Sequence, residues 1–333
     1  PSRTNDQPMT YVVAAGNNGG ANSGGTGGRA DSIAAPGNAK NVITVGALEQ
    51  LRLVADSTNK VATTTNDPIA VAHTDSDTQV ADYSGRGNVG VGIEGYSGRF
   101  KPDLVAPGSY VLSLRSTAFA ASNITESDVT LGAGAPSTYW RYASGTSIAA
   151  SKVSGVLALI EEYFRVNYNM TNGLNPSLNK ALLINRAGLA SSVYDYSVNN
   201  PISHQGWGIP SLSNTVPTTT AFAFLTNAGP ASAQIVVVDE SAFVTNHLAS
   251  GQYHAFDVTV PAGVVTNTNS LRITLAWTDP PGNPVGSTKL VNDLDLFVAF
   301  TNSAPAVGAT NLYEGNNFAP GSTITQPTPV GSQ

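Results

Sequence analysis

An α/β unit with a parallel sheet over residues 1–215, followed by an all-β sandwich or jelly-roll over residues 216–333, is the architecture this sequence predicts. Two observations carry it. Up to about residue 211, short β-branched runs that end in glycine turns alternate with helical stripes, the pattern of α/β layering. After Gly206-Trp207-Gly208-Ile209-Pro210 the texture changes: from Thr218 onward helical periodicity vanishes, and short strand-like runs alternate with Gly, Pro and Asn turns.

Each element follows from its residues. Residues 12–15, 42–46, 104–106 and 110–113 read as strands. Residues 153–164 place Val153, Val156, Leu157, Ile160 and Phe164 at three- and four-residue spacings, the stripe of a core-facing helix. Residues 176–185 have helical patterning, with Asn175 or Ser177 near the start and Gly188 beyond the end. The polar stretch 49–83 and the small-residue stretch 118–137 read as surface insertions. In the second part strands are expected at 234–238, 255–260, 271–277 and 294–300, and the tail from Gln326 reads as a Pro-Thr linker to further polypeptide.

Composition narrows the function. Only 11% of the 333 residues are charged, beside 33 glycines and 20 prolines, so the surface is neutral and hydroxyl-rich, and a secreted protein is expected. The net charge of −6 and the lack of Lys/Arg clusters exclude a nucleic-acid surface. No apolar run approaches the roughly 20 residues that cross a bilayer. With no cysteine there is no disulfide framework.

The chemistry concentrates in two segments. Tyr142-Ala143-Ser144-Gly145-Thr146-Ser147-Ile148-Ala149-Ala150 sets a serine between a glycine turn and a helix, so Ser147 would present its hydroxyl and its N–H at a helix N-terminus. Taken alone, Gly-Thr-Ser is better read as a cap of the helix, since serine and threonine are preferred N-caps. About 130 residues earlier, Tyr11-Val12-Val13-Ala14-Ala15-Gly16-Asn17-Asn18-Gly19 is a buried-strand pattern that ends by exposing an amide side chain.

Together the two segments resemble the serine and oxyanion-asparagine blocks of subtilisin-like serine proteases. Further blocks stand in the same family order: Ser32-Ile33-Ala34-Ala35-Pro36-Gly37 with Val42-Ile43-Thr44-Val45-Gly46-Ala47, Asp82-Tyr83-Ser84-Gly85-Arg86-Gly87, Lys101-Pro102-Asp103-Leu104-Val105-Ala106-Pro107-Gly108, and Gln205-Gly206-Trp207-Gly208. The resemblance implies the C-terminal portion of a three-layer catalytic domain, with Ser147 as nucleophile and the Asn17 side chain as oxyanion donor. Ala14, Ala15, Gly16 and Gly145 would line the path of a polypeptide substrate. Ser151 stands where the family usually has proline, a change of small local cost because proline's missing N–H has no partner in a first turn.

The family's aspartate lies in an Asp-Ser/Thr-Gly turn and its histidine in His-Gly-Thr-His, and neither occurs here. None of His73, His204, His247 and His254 has that context. The base and its carboxylate are therefore expected on an N-terminal half of the catalytic domain, as a separate chain or an upstream stretch outside this sequence. The chain alone is expected to be inactive, and strand 11–15 to present an association-prone edge. The alternative is a non-catalytic scaffold or binding component of an extracellular assembly.

Trp277-Thr278-Asp279 and Asn292-Asp293-Leu294-Asp295 resemble the β-domain appended to some large bacterial alkaline subtilases. Asp279, Asn292, Asp293 and Asp295 could supply hard oxygen ligands to a structural Ca²⁺, or form a solvated acidic edge.

Overall fold

The computed structural model describes residues 9–51, 73–118, 128–131, 135–170, 172–196, 198–200, 202–216, 222–224, 235–238, 248–258, 271–300 and 311–328. Strands β1 (Val12–Ala14), β2 (Ile43–Leu48) and β3 (Leu104–Pro107) form a parallel sheet in the order β1-β2-β3. All six residues of β2 are buried, as expected of a central parallel strand covered on both faces. The two-residue period divides them: Ile43, Val45 and Ala47 join one core cluster, and Leu48 joins a second with Val80, Val105, Ala190 and Tyr194.

The first cluster is closed by helix α1 (Thr146–Tyr168), which lies across all three strands and buries Ala149, Ala150, Val153, Leu157, Ile160 and Phe164. The expected stripe is its middle; the helix begins seven residues earlier, at the nucleophile turn itself. It ends at Asn169 in the left-handed conformation (φ 55°), whose N–H bonds to the Phe164 carbonyl. Helix α2 (Pro176–Asn185) matches its expected bounds, with the Asn175 side chain accepting from the Ser177 N–H and proline in the first turn. A short helix α3 (Leu212–Thr215) closes this part.

Beneath β2 and β3 lies a buried polar knot. Asp103 Oδ2 accepts from the Thr44 N–H (2.7 Å) and Lys101 Nζ (2.5 Å), and Oδ1 accepts from Lys180 Nζ (2.8 Å). Burial opposes the charge on Asp103, but the two ammonium groups outweigh it and hold its carboxyl below the usual range.

The insertion readings need correcting. Within 118–137, β5 (Asp128–Leu131) and β6 (Ala135–Ala143) pair antiparallel, and β6 also pairs with β4 (Val111–Leu114), a three-stranded sheet leading into the nucleophile turn. The described end of the 49–83 stretch, residues 73–83, is fastened to the sheet: the Glu49 N–H bonds to the Gln79 carbonyl and the Ala81 N–H to the Ala47 carbonyl.

Beyond residue 216 five strands are described, against the eight of a jelly roll. Strands β7 (Phe222–Phe224) and β8 (Ile235–Val237) pair in parallel, while β9 (Phe297–Phe300), β10 (Asn311–Phe318) and β11 (Thr325–Thr328) form an antiparallel sheet. Residues 271–277 are not a strand, and neither are 255–258, the described part of 255–260. Conversely β11 occupies residues read as the start of a linker.

The change of texture at 215/216 does not end the core, because Ile235 and Val237 of β8 are buried in the cluster beneath α1. Phe318 adds an aromatic contact, its ring 6.1 Å from Trp207 and 6.0 Å from Tyr196.

Candidate active site

Residues 130 positions apart converge at the start of α1. Its N-cap is Gly145, and no side chain caps the helix, so the hydroxyls of Thr146 and Ser147 are not spent on capping. Thr146 is buried and turns toward the end of β1, where its Oγ1 accepts from the Gly16 N–H at 3.0 Å. Both the Thr146 N–H and its hydroxyl donate to Asn17 Oδ1, each at 2.9 Å. A backbone N–H can only donate, so the Asn17 atom facing it must be the oxygen, and the amide orientation is fixed without ambiguity. The Asn17 NH₂ is then left to point elsewhere.

Where it points is decided by Gly145. This residue has φ of 151°, which favours glycine. A β-carbon here would lie 3.5 Å from Asn17 Nδ2 and 3.8 Å from the Ser147 nitrogen. Two donors thus flank one small space, which any side chain at 145 would fill. Neither the Ser147 N–H nor Asn17 Nδ2 has another partner among the described residues. Ser147 itself is exposed at the first turn, where the helix dipole favours developing negative charge. The arrangement can hold an oxyanion next to a nucleophilic oxygen.

Of the expected substrate wall, Ala15 is fully buried, with its N–H on the Val45 carbonyl, while Ala14 and Gly16 are half-buried. Ser151, in the family's proline position, turns its hydroxyl back to the Ile148 carbonyl at 2.8 Å, the usual solution for a serine within a helix.

No described histidine makes a hydrogen bond to Ser147. His73 is paired with Asp82 (3.1 Å) between the rings of Tyr83 and Tyr110, and His204 stacks on Tyr194 with Nε2 at the Gly27 carbonyl (3.1 Å). His254 neighbours Phe256, and His247 lies outside the described residues. The His73–Asp82 pair was missed in the sequence because Asp82 opens a quoted block while His73 sits nine residues upstream in a polar stretch with no motif. Thr146 stood inside the quoted motif, but its role depends on a contact across the fold.

The calcium reading meets a different partner. The Asp279 carboxylate takes the Lys40 ammonium and the N–H groups of Val291 (2.9 Å) and Asn292 (2.8 Å). Lys40 Nζ donates further to the carbonyls of Pro280 (2.7 Å) and Lys289 (2.5 Å). Burial opposes ionisation of Asp279, yet these donors prevail and hold its carboxyl below the ordinary range. Asn292, Asp293 and Asp295 are exposed, and among the described residues no three His, Cys, Asp or Glu side chains gather for a metal. This donor set does not fit Ca²⁺, because a lysine already supplies the cation.

The profile of the subtilase family matches residues 2–208. This chain belongs to the subtilase family. Among curated relatives, the serine protease/ABC transporter B family protein tagA of Dictyostelium discoideum is 32% identical over 230 residues, 66% of this chain and 12% of that protein. The tagD protein of the same organism is 30% identical over 244 residues, 62% of this chain and 13% of that protein. This subtilase therefore spans about an eighth of the length of the curated relatives it matches. Among solved structures, the self-cleaved protease domain of PatA is 19% identical with a TM-score of 0.34, over 62% of this chain and 48% of that one. A cold-adapted subtilisin-like serine proteinase is 25% identical with a TM-score of 0.27, over 54% and 38%. The fold of this subtilase is the subtilisin-like α/β fold with a parallel sheet. No helix among its described residues is long and apolar enough to cross a membrane.

Proposed function

We propose that this chain supplies the nucleophile and the oxyanion donors of a secreted serine endopeptidase. Ser147 Oγ attacks the carbonyl carbon of a scissile peptide, and the carbonyl oxygen becomes an oxyanion between the Ser147 N–H and Asn17 Nδ2. Collapse expels the amine and leaves an acyl group on Ser147, which water then hydrolyses. The observation that carries this reading is the pair of unspent donors around Gly145, beside an exposed serine.

The base that takes the Ser147 proton and returns it to the leaving amine, with its orienting carboxylate, comes from a further polypeptide segment. That segment has a natural seat. β1 pairs with β2 on one side only, and its other edge is open among the described residues, with Tyr11 beside it 58% exposed. The sparse charge supports secretion.

Reaction of the native protein, with any polypeptide that co-purifies, with a fluorophosphonate probe tests this reading. Peptide mapping is expected to find the label on Ser147, and Ser147→Ala to abolish it. Asn17→Leu should slow turnover about 10²–10³-fold, the loss known for the equivalent donor in subtilisin itself, the enzyme from which that figure comes. An unlabelled Ser147 in the complete complex would leave the scaffold role instead.

A further inference from the structure

Gly108, just past β3, touches the nucleophile turn backbone to backbone. A β-carbon on it would stand 2.8 Å from Ala47 Cβ and 2.9 Å from the Gly145 carbonyl oxygen. Its own carbonyl oxygen receives two donors, the Gly145 N–H at 2.9 Å and the Tyr83 hydroxyl at 3.0 Å. The Tyr83 oxygen is also 2.9 Å from Ser109 Oγ. A phenol has one proton, which goes to Gly108, so Ser109 donates to Tyr83 and holds that proton in its direction.

We infer that Tyr83 is a positioning residue for the reaction at Ser147: its hydroxyl fixes the Gly108 carbonyl, which fixes Gly145, and so sets the spacing of the two oxyanion donors. The inference rests on the reading of Ser147 as nucleophile. Gly145 is where a small shift has the greatest effect, since both donors lie within 4 Å of its missing β-carbon and its carbonyl accepts the N–H groups of Ile148 and Ala149. A carbonyl held by two donors has less freedom than one held by the turn alone, and hydrogen bonds in such a chain strengthen one another. Burial pushes the Tyr83 phenol up to about 12, against the opposing hydrogen bonds to Ser109 and Gly145, so it stays a donor throughout the physiological range. Its ring is steadied from the side by His73, edge-on at 6.1 Å and tied to Asp82.

The test is Tyr83→Phe in the native protein, compared with Tyr194→Phe. The Tyr194 hydroxyl accepts from the Val80 N–H (3.0 Å) and donates to the Gly25 carbonyl (3.2 Å), so the second variant deletes the same group with no hydrogen bond to the turn. In Tyr83→Phe the rate of fluorophosphonate labelling at Ser147 and kcat on a peptide substrate should fall about 5–10-fold, the worth of one hydrogen bond, with KM within about twofold of wild type. Tyr194→Phe should label at the wild-type rate even where its urea midpoint drops. A wild-type rate in Tyr83→Phe, or an equal loss in Tyr194→Phe, overturns the positioning role and leaves the nucleophile reading intact. Absence of label on the wild-type protein overturns both. Should Tyr83→Phe fail to fold by circular dichroism, Ser109→Ala decides: it releases the hydroxyl from its alignment, and a wild-type labelling rate there rejects the role.

Discussion

In the first 216 residues the sheet and α1 enclose a continuous apolar core, from Ile43 and Val45 through Leu104 to Ile160 and Phe164, all nearly or fully buried. From residue 271 onward Leu271, Ile273, Leu275 and Phe297 are exposed, and attachment to the rest runs through separate points. Among them are Lys40 and Asn41 on the 279–292 loop, Asn185 Nδ2 on the Arg272 carbonyl and Thr274 Oγ1, Arg272 on the Ala187 carbonyl, Phe318 on Trp207 and Tyr196, and the Gly321 N–H on Asp195 Oδ2. The first region is stabilised by area removed from water, which many residues share. The second is fixed by a few polar and aromatic contacts, each of which matters singly.

That contrast can be broken most sharply in the core. Phe164→Ala, at a fully buried position, should cost about 3–5 kcal/mol in urea unfolding. A loss under about 1 kcal/mol would mean that α1 is not seated as described. Next comes Lys40→Met, which strands a carboxylate whose side chain is 3% exposed. It should cost about 2–3 kcal/mol, and limited proteolysis should then cut residues 271–328 before the first region. Simultaneous loss of both regions would show that they unfold as one unit.

Glu49 is the polar exception in the first region: it has no exposure, and neither carboxylate oxygen meets a donor among the described residues. Burial, then Asp75 and Asp82, push its carboxyl from 4.5 up to about 8. The native protein therefore keeps a proton that the unfolded chain loses near 4.5. Stability from this group is full below that pH and lost as pH rises through about 8. Glu49→Gln should match wild type at pH 4 and exceed it at pH 8.5 by roughly 4 kcal/mol. Parallel urea titrations that stay equal at both pH values would place Glu49 in water.

The same contrast explains what could be read in advance. β1 to β4, α1 and α2 announce themselves because their apolar residues follow the period of the element that buries them. Ser147 and Asn17 are legible because each sits at the end of such an element. Residues 128–137 were read as part of a loop-like insertion because small and hydroxyl residues hide the alternation that marks a strand, and most of β11 as a linker because Gln326-Pro327-Thr328 has linker composition. The error at 271–277 ran the other way: Leu271, Ile273 and Leu275 alternate, yet the segment has no ladder partner among the described residues. Asp279 misled because an acidic residue shows its charge in sequence, while the lysine that answers it lies 239 positions away.

That distance also has a consequence in time. A ribosome adding about 5–20 residues per second delivers Asp279 roughly 10–50 s after Lys40. Until then the ammonium, and the Asn41 amide that exchanges hydrogen bonds with the Asp279 backbone, are left to water just ahead of β2. A chain that stops short of Asn292 cannot complete the Asp279 knot, so the junction at Lys40 distinguishes copies extended past Asn292 from those terminated before it.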